Sequence, residues 1–368
     1  MAAKTVRLDG ETAETLGELS VRATRLRGGV RDGVLQVELA AGTTRVVVLP
    51  DRGLGIWKMS VDGCELGWQS PIRGPVHPRF VPLGEPSGLG WLDGFDELVA
   101  RCGLVSNGAP DFTPEGRLRH GLHGRIANLP AHGVVAMLDD TARTVTLTGV
   151  VDETRFLVHA LRMTTTFTLR AGRPGMTWTD RVENRSERPT TIQMLYHVNL
   201  GPPLLGAGAE VVVPAAELAP RDAAAAADVP TWNRYDAPQA GRDEQVHFMR
   251  LEPGADGRVT ALLVAPGGGQ AASLSWRAAE LPCFTLWKNQ GGVADGYVTG
   301  LEPGTNYPNP RSFEERQGRV VTLAPHAGIE FDLAIEHHAG AAVAEARQRI
   351  AGATPRIFPQ PRPGWSDV

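Results

Sequence analysis

The sequence predicts an all-β fold, a large, twisted antiparallel β-supersandwich with a short C-terminal helix. Short runs of β-branched and other apolar residues recur along the chain, separated by glycine, proline and Asp-Gly pairs. Segments with helical spacing are scarce, so the alternation of strands and helices that builds a doubly wound parallel sheet is absent. We therefore expect one domain over residues 1–368, with its core at about residues 20–338.

Alternating apolar residues place the individual strands. The clearest runs are residues 34–39, 44–49 and 144–150, followed by residues 161–169 and 176–182. Because the last two runs flank a Gly-Arg-Pro-Gly turn, they should form a β-hairpin.

Two segments show helical spacing. One is residues 94–100, and the clearer one is residues 341–350, where apolar residues recur at intervals of three and four. We expect the second segment to form a helix packed outside the sandwich. An extended Pro-rich tail should follow it, so that residues 339–368 are peripheral.

Composition excludes several classes of protein. The chain has 42% hydrophobic and 21% charged residues and a net charge of −4, which gives no basic surface for nucleic acid or for an anionic membrane. No apolar run is long enough to span a membrane, and the first residues lack the apolar core of a signal peptide. The three cysteines have no CxxC spacing, so we expect them to be reduced, in a cytoplasmic protein.

Two strand ends carry the residue types needed for proton transfer. Glu302 ends an apolar run just before Pro303 and Gly304, where a rigid scaffold would hold a carboxylate at a rim. His197 and Asn199 occupy alternate positions of another strand ahead of a Gly-Pro-Pro break, so both side chains should point to one face. We expect Glu302 and His197 to form an acid–base pair. A solvated Glu302 and a structural His197 are the open alternatives.

Several motifs, taken in order, resemble those of a known superfamily. They are Asn-Arg-Ser-Glu-Arg-Pro at 184–189, Leu-Tyr-His-Val-Asn at 195–199 and Gly-Leu-Glu-Pro at 300–303. In these motifs the chain is similar to the aldose 1-epimerase (galactose mutarotase-like) superfamily. Further motifs resemble its bacterial branch of unknown function: Leu-Pro-Asp-Arg-Gly at 49–53, Arg-Cys-Gly-Leu at 101–104 and Leu-His-Gly-Arg-Ile at 122–126. The resemblance covers about residues 30–338.

The resemblance implies a cofactor-independent enzyme that interconverts sugar anomers. Opening a pyranose ring needs a base for the proton of the anomeric hydroxyl and an acid for the ring oxygen. Such acid–base help is worth about a hundredfold to ten-thousandfold in rate. By the resemblance, Glu302 is the base, His197 is the acid, and His123 donates to a sugar hydroxyl or to the ring oxygen.

Further residues are candidate sugar ligands. Trp91 offers a stacking surface and Asp96 a carboxylate for hydroxyls, although a capped helix start would explain the same stretch. Glu244 lies where the superfamily carries an acidic ligand, but the pattern around it differs. Arg125 or Lys288 would bind an anionic group of the substrate, and surface or structural roles for both are open.

A metal site is disfavoured. His120 and His123 have the spacing of metal ligands on a helix, but Gly121 and Gly124 make a helix improbable and no acidic ligand follows at a suitable distance. We expect neither a metal nor a cofactor.

Two other functions fit the same residues. A keto-sugar isomerase would use the acid–base pair to move a proton at carbon, because a fold does not fix the chemistry. A non-catalytic carbohydrate-binding protein would use Glu302, His197 and Asn199 only as ligands. The presence of both an acid and a base favours an enzyme. We expect a small-molecule sugar as the partner, and we leave a homodimer open.

Overall fold

Two large β-sheets form most of the structure. The computed structural model describes residues 3–350, 352 and 354–367. In chain order the strands are β1 (Ala3–Arg7), β2 (Thr12–Leu16), β3 (Leu19–Arg25), β4 (Leu35–Ala41), β5 (Thr44–Leu49), β6 (Gly55–Val61), β7 (Cys64–Leu66), β8 (Val99–Leu104), β9 (Asp111–Phe112), β10 (Leu118–His120), β11 (His132–Asp139), β12 (Thr144–Arg155), β13 (His159–Arg170), β14 (Gly175–Asn184), β15 (Thr190–Leu200), β16 (Glu210–Val212), β17 (Ala215–Pro220), β18 (Gln245–Leu251), β19 (Arg258–Val264), β20 (Gln270–Arg277), β21 (Cys283–Asn289), β22 (Val298–Gly304), β23 (Val321–Leu323), β24 (Gly328–Ala339) and β25 (Arg356–Ile357). The α-helices are α1 (Ala223–Asp228), α2 (Arg311–Arg316) and α3 (Ala341–Arg349).

Neighbouring strands pair antiparallel in both sheets. The nine-stranded sheet has the order β1-β11-β12-β13-β14-β24-β20-β19-β16. The larger sheet has the order β2-β3-β4-β5-β6-β8-β15-β22-β21-β18-β17-β25, with β7 paired to β6 and β23 to β15. The last strand, β25, lies parallel to β17. The predicted antiparallel sandwich is thus confirmed, and so is the predicted hairpin, which is formed by β13 and β14.

The main core lies between the two sheets. Tyr196 and Val198 of β15, Leu286 of β21 and Leu301 of β22 are buried in it. Because successive residues of a strand face opposite sides, the residues between them, such as His197, point to the outer face of the larger sheet.

A buried ion pair links the two sheets. The guanidinium of Arg101, on β8, donates to both carboxylate oxygens of Asp180, on β14, at 2.6 and 3.1 Å. Tyr196 and Thr165 donate to the same carboxylate at 2.8 and 2.5 Å, and Arg101 also donates to the carbonyl oxygen of Leu54 at 2.7 Å. Since each charge is partnered, the pair is compatible with burial.

The helix expected at residues 94–100 does not form, and that prediction is wrong. A 3-10 turn at Gly90–Gly94 leads instead into β8. The segment is held by Arg52, which donates to the carbonyl oxygen of Gly94 at 2.8 Å and to the carboxylate of Glu97 at 2.5 Å.

The helix expected at residues 341–350 is confirmed as α3. The tail beyond it adds β25 to the edge of the larger sheet, and Trp365 is buried against Tyr307. In the part of the chain that the structure describes, no helix is long and apolar enough to cross a membrane.

We expect Asp180→Ala to lower the free energy of unfolding by about 3–5 kcal/mol, because it leaves the guanidinium of Arg101 buried without its charge partner. Urea denaturation followed by tryptophan fluorescence measures the change. The control is the half-exposed pair Arg162–Asp152, whose side chains are 33% and 34% exposed. Asp152→Ala should cost less than about 1 kcal/mol. Equal losses of unfolding free energy in the two variants would contradict the expectation that breaking the buried pair costs more than breaking the half-exposed one.

Candidate functional site

Adjacent strands of the larger sheet place the candidate site on its outer face. In the register between β15 and β22, Val198 lies across from Leu301, so the preceding residue, His197, lies across from Glu302. The next strand, β21, contributes Trp287 to the same face. Residues that are about a hundred positions apart in the chain therefore become neighbours through strand pairing.

His197 and Glu302 form a close, buried pair. Nε2 of His197 lies 3.2 Å from Oε1 of Glu302, and the two side chains are 6% and 3% exposed. Burial raises the pKa of Glu302 well above its ordinary value, and the carboxylate of Glu244 raises it further. Burial also lowers the pKa of His197 well below its ordinary value, and His123 adds to this shift. Both side chains therefore favour their neutral forms.

Asn199 determines which nitrogen of His197 carries a proton. The amide nitrogen of Asn199 donates to the carbonyl oxygens of Glu97 and His197, each at 3.0 Å, so the amide oxygen must face the imidazole. That oxygen lies 2.6 Å from Nδ1 of His197 and can only accept, so Nδ1 is protonated. Neutral His197 then has its lone pair on Nε2, the nitrogen beside Glu302. Burial thus favours a protonated carboxyl group of Glu302 beside this lone pair.

His123 faces this pair from a loop. Its φ of 55° lies in the left-handed region, and Gly124 follows it. Nδ1 of His123 lies 2.9 Å from the carbonyl oxygen of Asn107, which can only accept, so the lone pair is on Nε2. Burial lowers the pKa of His123 to about 4. Its ring centre is 5.4 Å from that of His197, so a second neutral imidazole borders the site.

Aromatic side chains enclose the imidazole of His197. The ring centres of Phe95, Trp287 and Trp91 lie 5.0, 5.2 and 6.3 Å from it. Trp91 also contacts the ring of His123 at 4.6 Å. Aromatic faces of this kind can pack against the apolar face of a small polar ligand, and they keep water from the titratable groups.

Glu244 lies at the rim of the site. One of its carboxylate oxygens accepts a hydrogen bond from Nε1 of Trp287 at 2.7 Å, and the other accepts one from Arg221 at 2.8 Å. Arg221 also donates to Asp222 at 2.9 Å. Because the Glu244 side chain is 45% exposed, it both orients the indole ring and presents a carboxylate to incoming molecules.

Three predicted ligands lie apart from the pair. Lys288 points to the inner face of the sheet, where its Nζ is 2.5 Å from a carboxylate oxygen of Asp228. Asp96 accepts a hydrogen bond from Trp57 at 2.8 Å, and burial raises its pKa to about 6. Arg125 is exposed on its loop. The residues that the structure does bring together at the site are Glu302, His197, Asn199, His123 and Trp91, with Glu244 at the rim.

Sequence patterns do not single out Thr285, and they include Gly300 only as the first residue of the 300–303 motif, although both residues belong to the site. Thr285 lies across from Glu302 on the neighbouring strand. The hydroxyl of Thr285, Oε1 of Glu302 and Nε1 of Trp91 are buried, and none has a hydrogen-bond partner among the described residues. Buried polar atoms are normally satisfied, so these three mark a place where a ligand would complete the bonding. The signal that reveals Thr285 is the pairing of β21 with β22, which no local pattern contains.

Solved structures share this fold. A Klebsiella pneumoniae protein, whose assignment as an aldose 1-epimerase is provisional, is 30% identical with a TM-score of 0.94; the match covers 98% of this chain and 99% of that one. A galactose mutarotase-like protein from Clostridium acetobutylicum is 14% identical with a TM-score of 0.58, over 88% of this chain and 99% of that one. Galactose 1-epimerase from Lactobacillus acidophilus is 13% identical with a TM-score of 0.54, over 88% and 99%. The last two likenesses show the fold alone. No curated protein matches the sequence.

The fold and the first of these relatives place the chain in the aldose 1-epimerase-like superfamily, as the sequence motifs predict. Within it, the chain belongs to the family described as a domain of unknown function, DUF4432, whose sequence profile matches residues 31–336.

We expect His123 to be neutral and protonated on Nδ1 at neutral pH, and to titrate with a pKa of about 4. Burial disfavours the charged ring, and the carbonyl oxygen of Asn107 fixes the tautomer. Long-range proton–nitrogen NMR spectra recorded over a pH series measure both properties. An imidazole protonated on Nε2, or one that titrates at its ordinary pKa, would contradict this description of the site.

Proposed function

We propose that this protein is a carbohydrate-active isomerase that interconverts the anomers of a free sugar by opening and closing its ring. The observation that carries the proposal is the buried approach of Nε2 of His197 to Oε1 of Glu302, at 3.2 Å, inside a wall of aromatic rings. The anomeric oxygen and the ring oxygen of a sugar are bonded to the same carbon. An acid and a base held this close can therefore serve both oxygens at once.

The proton count of the pair matches this reaction. In the reactive form Nε2 of His197 is protonated and Glu302 is ionised. Glu302 takes the proton of the anomeric hydroxyl, Nε2 gives its proton to the ring oxygen, and the bond between C1 and the ring oxygen breaks. The result is an open-chain aldehyde, a protonated Glu302 and a neutral His197. After rotation about the bond between C1 and C2, the reverse transfers close the ring on the other face of the aldehyde.

Other residues of the site would hold the sugar. Trp91 and Trp287 offer aromatic faces for the apolar side of the ring. Nε1 of Trp91 and the hydroxyl of Thr285 would donate hydrogen bonds to hydroxyl groups, and Glu244 would accept them. We also propose Nε2 of His123 as an acceptor, in place of the donor that the resemblance implies, because its Nδ1 proton is bonded to the carbonyl oxygen of Asn107. Together with the action of Glu302 on the anomeric hydroxyl, these contacts would give partners to the three buried polar atoms of the site that lack one among the described residues, Nε1 of Trp91, the hydroxyl of Thr285 and Oε1 of Glu302.

The charges around the site favour a neutral sugar over an anionic one. Glu244 brings a carboxylate to the rim, and the guanidinium beside it, that of Arg221, is already bonded to Glu244 and Asp222. Lys288 faces the inner side of the sheet, and Arg125 is exposed on a loop. A carboxylate or phosphate on the substrate would approach the carboxylate of Glu244, and the described cation beside it, Arg221, is already paired. We therefore propose a neutral sugar in place of the anionic one expected from Arg125 and Lys288.

Glu302→Gln should slow catalysed anomer exchange by about a hundredfold to ten-thousandfold, because the amide keeps the shape of the side chain but cannot accept a proton. His197→Asn should slow exchange less if water takes over as the acid. Exchange spectroscopy by NMR, on a panel of aldoses at anomeric equilibrium, measures the rates. Saturation-transfer spectra of the same samples measure binding.

The outcomes of this experiment separate the candidate functions. Binding without exchange in the wild-type protein would indicate a carbohydrate-binding protein, and the appearance of a different sugar would indicate a keto-sugar isomerase. Exchange that survives Glu302→Gln unchanged would rule out Glu302 as the base.

Galactose or glucose should exchange at least about tenfold faster than the matching uronic acid and 6-phosphate, because the anionic group meets the excess negative charge of Glu244 and Asp222, which share the single guanidinium of Arg221. Arg125→Ala should leave these ratios unchanged, since the side chain is exposed on a loop. The same NMR assay measures all rates. A preference for the anionic sugars that disappears in Arg125→Ala would instead support an anionic substrate.

A further inference from the structure

Gly300 lies on β22 at the floor of the site. It is paired with Trp287 on one neighbouring strand and with Asn199 on the other, and Glu302 is two residues further along on the same face. The φ of Gly300 is not in the left-handed region, so any amino acid could adopt its backbone conformation. The backbone therefore gives no reason for glycine at this position.

A side chain at this position would collide with the site itself. A Cβ atom on Gly300 would overlap Oε1 of Glu302, and it would lie 3.2 Å from both Cε1 of His197 and Cε3 of Trp287. The two rings are held by hydrogen bonds, at 2.6 Å from Nδ1 of His197 and 2.7 Å from Nε1 of Trp287. Oε1 of Glu302 has no such bond among the described residues. The carboxylate is thus the group that would have to move.

We propose that Gly300 is a positioning residue: the lack of a side chain here lets the carboxylate of Glu302 lie beside Nε2 of His197. A methyl group would push the carboxylate away from the imidazole, and the 3.2 Å approach of Oε1 to Nε2 would be lost. The catalytic meaning of this contact rests on the proposed function, whereas the contact itself can be tested without any substrate.

A double-mutant cycle on stability tests the contact directly. Gly300→Ala should lower the urea midpoint of the wild-type protein. It should lower the midpoint of the Glu302→Ala variant much less, because the added methyl group then fits into the space left by the carboxylate. Equal losses in the two backgrounds would overturn the proposal. If Gly300→Ala alone does not fold, folding of the double variant shows the same coupling, and failure of both variants to fold overturns it.

Gly149 provides the matched control. It is also a buried glycine inside a strand, β12, and a Cβ atom there would press on Leu54 at 3.0 Å, away from the acid–base pair. Gly149→Ala should therefore cost the same stability with and without the carboxylate of Glu302. The loss of stability caused by Gly149→Ala is compared between the wild-type and Glu302→Ala backgrounds. A difference between the two backgrounds as large as that found for Gly300→Ala would overturn the proposal, since the coupling would then not be specific to position 300.

Nitrogen NMR of the His197 ring gives a second readout, which a general loss of stability would not produce. In Gly300→Ala, the Nε2 signal should shift, because the carboxyl group that lies 3.2 Å from this nitrogen moves away, while the Nδ1 signal, fixed by Asn199, should stay in place. An unchanged Nε2 signal would overturn the proposal.

Activity separates this inference from the proposed function. If the wild-type protein exchanges sugar anomers, kcat/KM should fall by at least about tenfold in Gly300→Ala, and the pH profile should change because the pair is broken. Undiminished exchange with an unchanged pH profile would count against Gly300 as a positioning residue. If the wild-type protein shows no exchange, the proposed function fails, and the stability cycle and the nitrogen spectra still decide the role of Gly300.

Discussion

A buried ion pair between the two sheets fixes the geometry on which the candidate site depends. Arg101 of β8 binds the carboxylate of Asp180 on the facing sheet, and Tyr196 and Thr165 donate to the same group. Buried charges are costly unless all of their partners are in place, so few relative positions of the sheets are compatible with this network. Tyr196 immediately precedes His197. The bonds that hold one side of β15 therefore also set where the imidazole lies on the other side.

Strand alternation then separates the side chains of the site, on the outer face of the larger sheet, from the buried side chains on its inner face. On β21, Trp287 faces the site, and its successor Lys288 faces the inner side, where it binds Asp228. On β22, Glu302 faces the site, and its predecessor Leu301 lies in the main core. A fully buried ammonium group is tolerated in the interior because it is paired with a carboxylate, but a ligand on the outer face cannot reach it. Adjacent residues of a strand thus face opposite sides of the larger sheet. In each of these two pairs, only the residue on the outer face can take part in the site.

Local patterns are enough to predict the strands, the hairpin of β13 and β14, and helix α3, because these depend on residues close together in the chain. The order of the motifs also predicts the pairing of Glu302 with His197. Thr285 could not be predicted, because its place in the site comes from the register between strands, which is set by packing over the whole sandwich. Gly300 belongs to the 300–303 motif and shares a face with Glu302 by strand alternation, but its contacts with His197 and Trp287 also depend on that register. The prediction of a helix at residues 94–100 is wrong for a similar reason. The carbonyl oxygen of Gly94 and the carboxylate of Glu97 bond to Arg52, which is distant in sequence.

Burial sets the energetic condition for the proposed reaction. It favours the neutral forms of Glu302 and His197, whereas ring opening would start from the ionised pair. At a separation of 3.2 Å the opposite charges of the ionised form attract each other strongly in a medium of low polarity. The two forms of the pair therefore differ less in free energy than two isolated buried groups would. A sugar hydroxyl that donates to Oε1 of Glu302 would stabilise the ionised form further, because this oxygen has no other partner among the described residues. The substrate itself would thus stabilise the ionised Glu302 that acts as the base, and the pair would become reactive only once a sugar is bound.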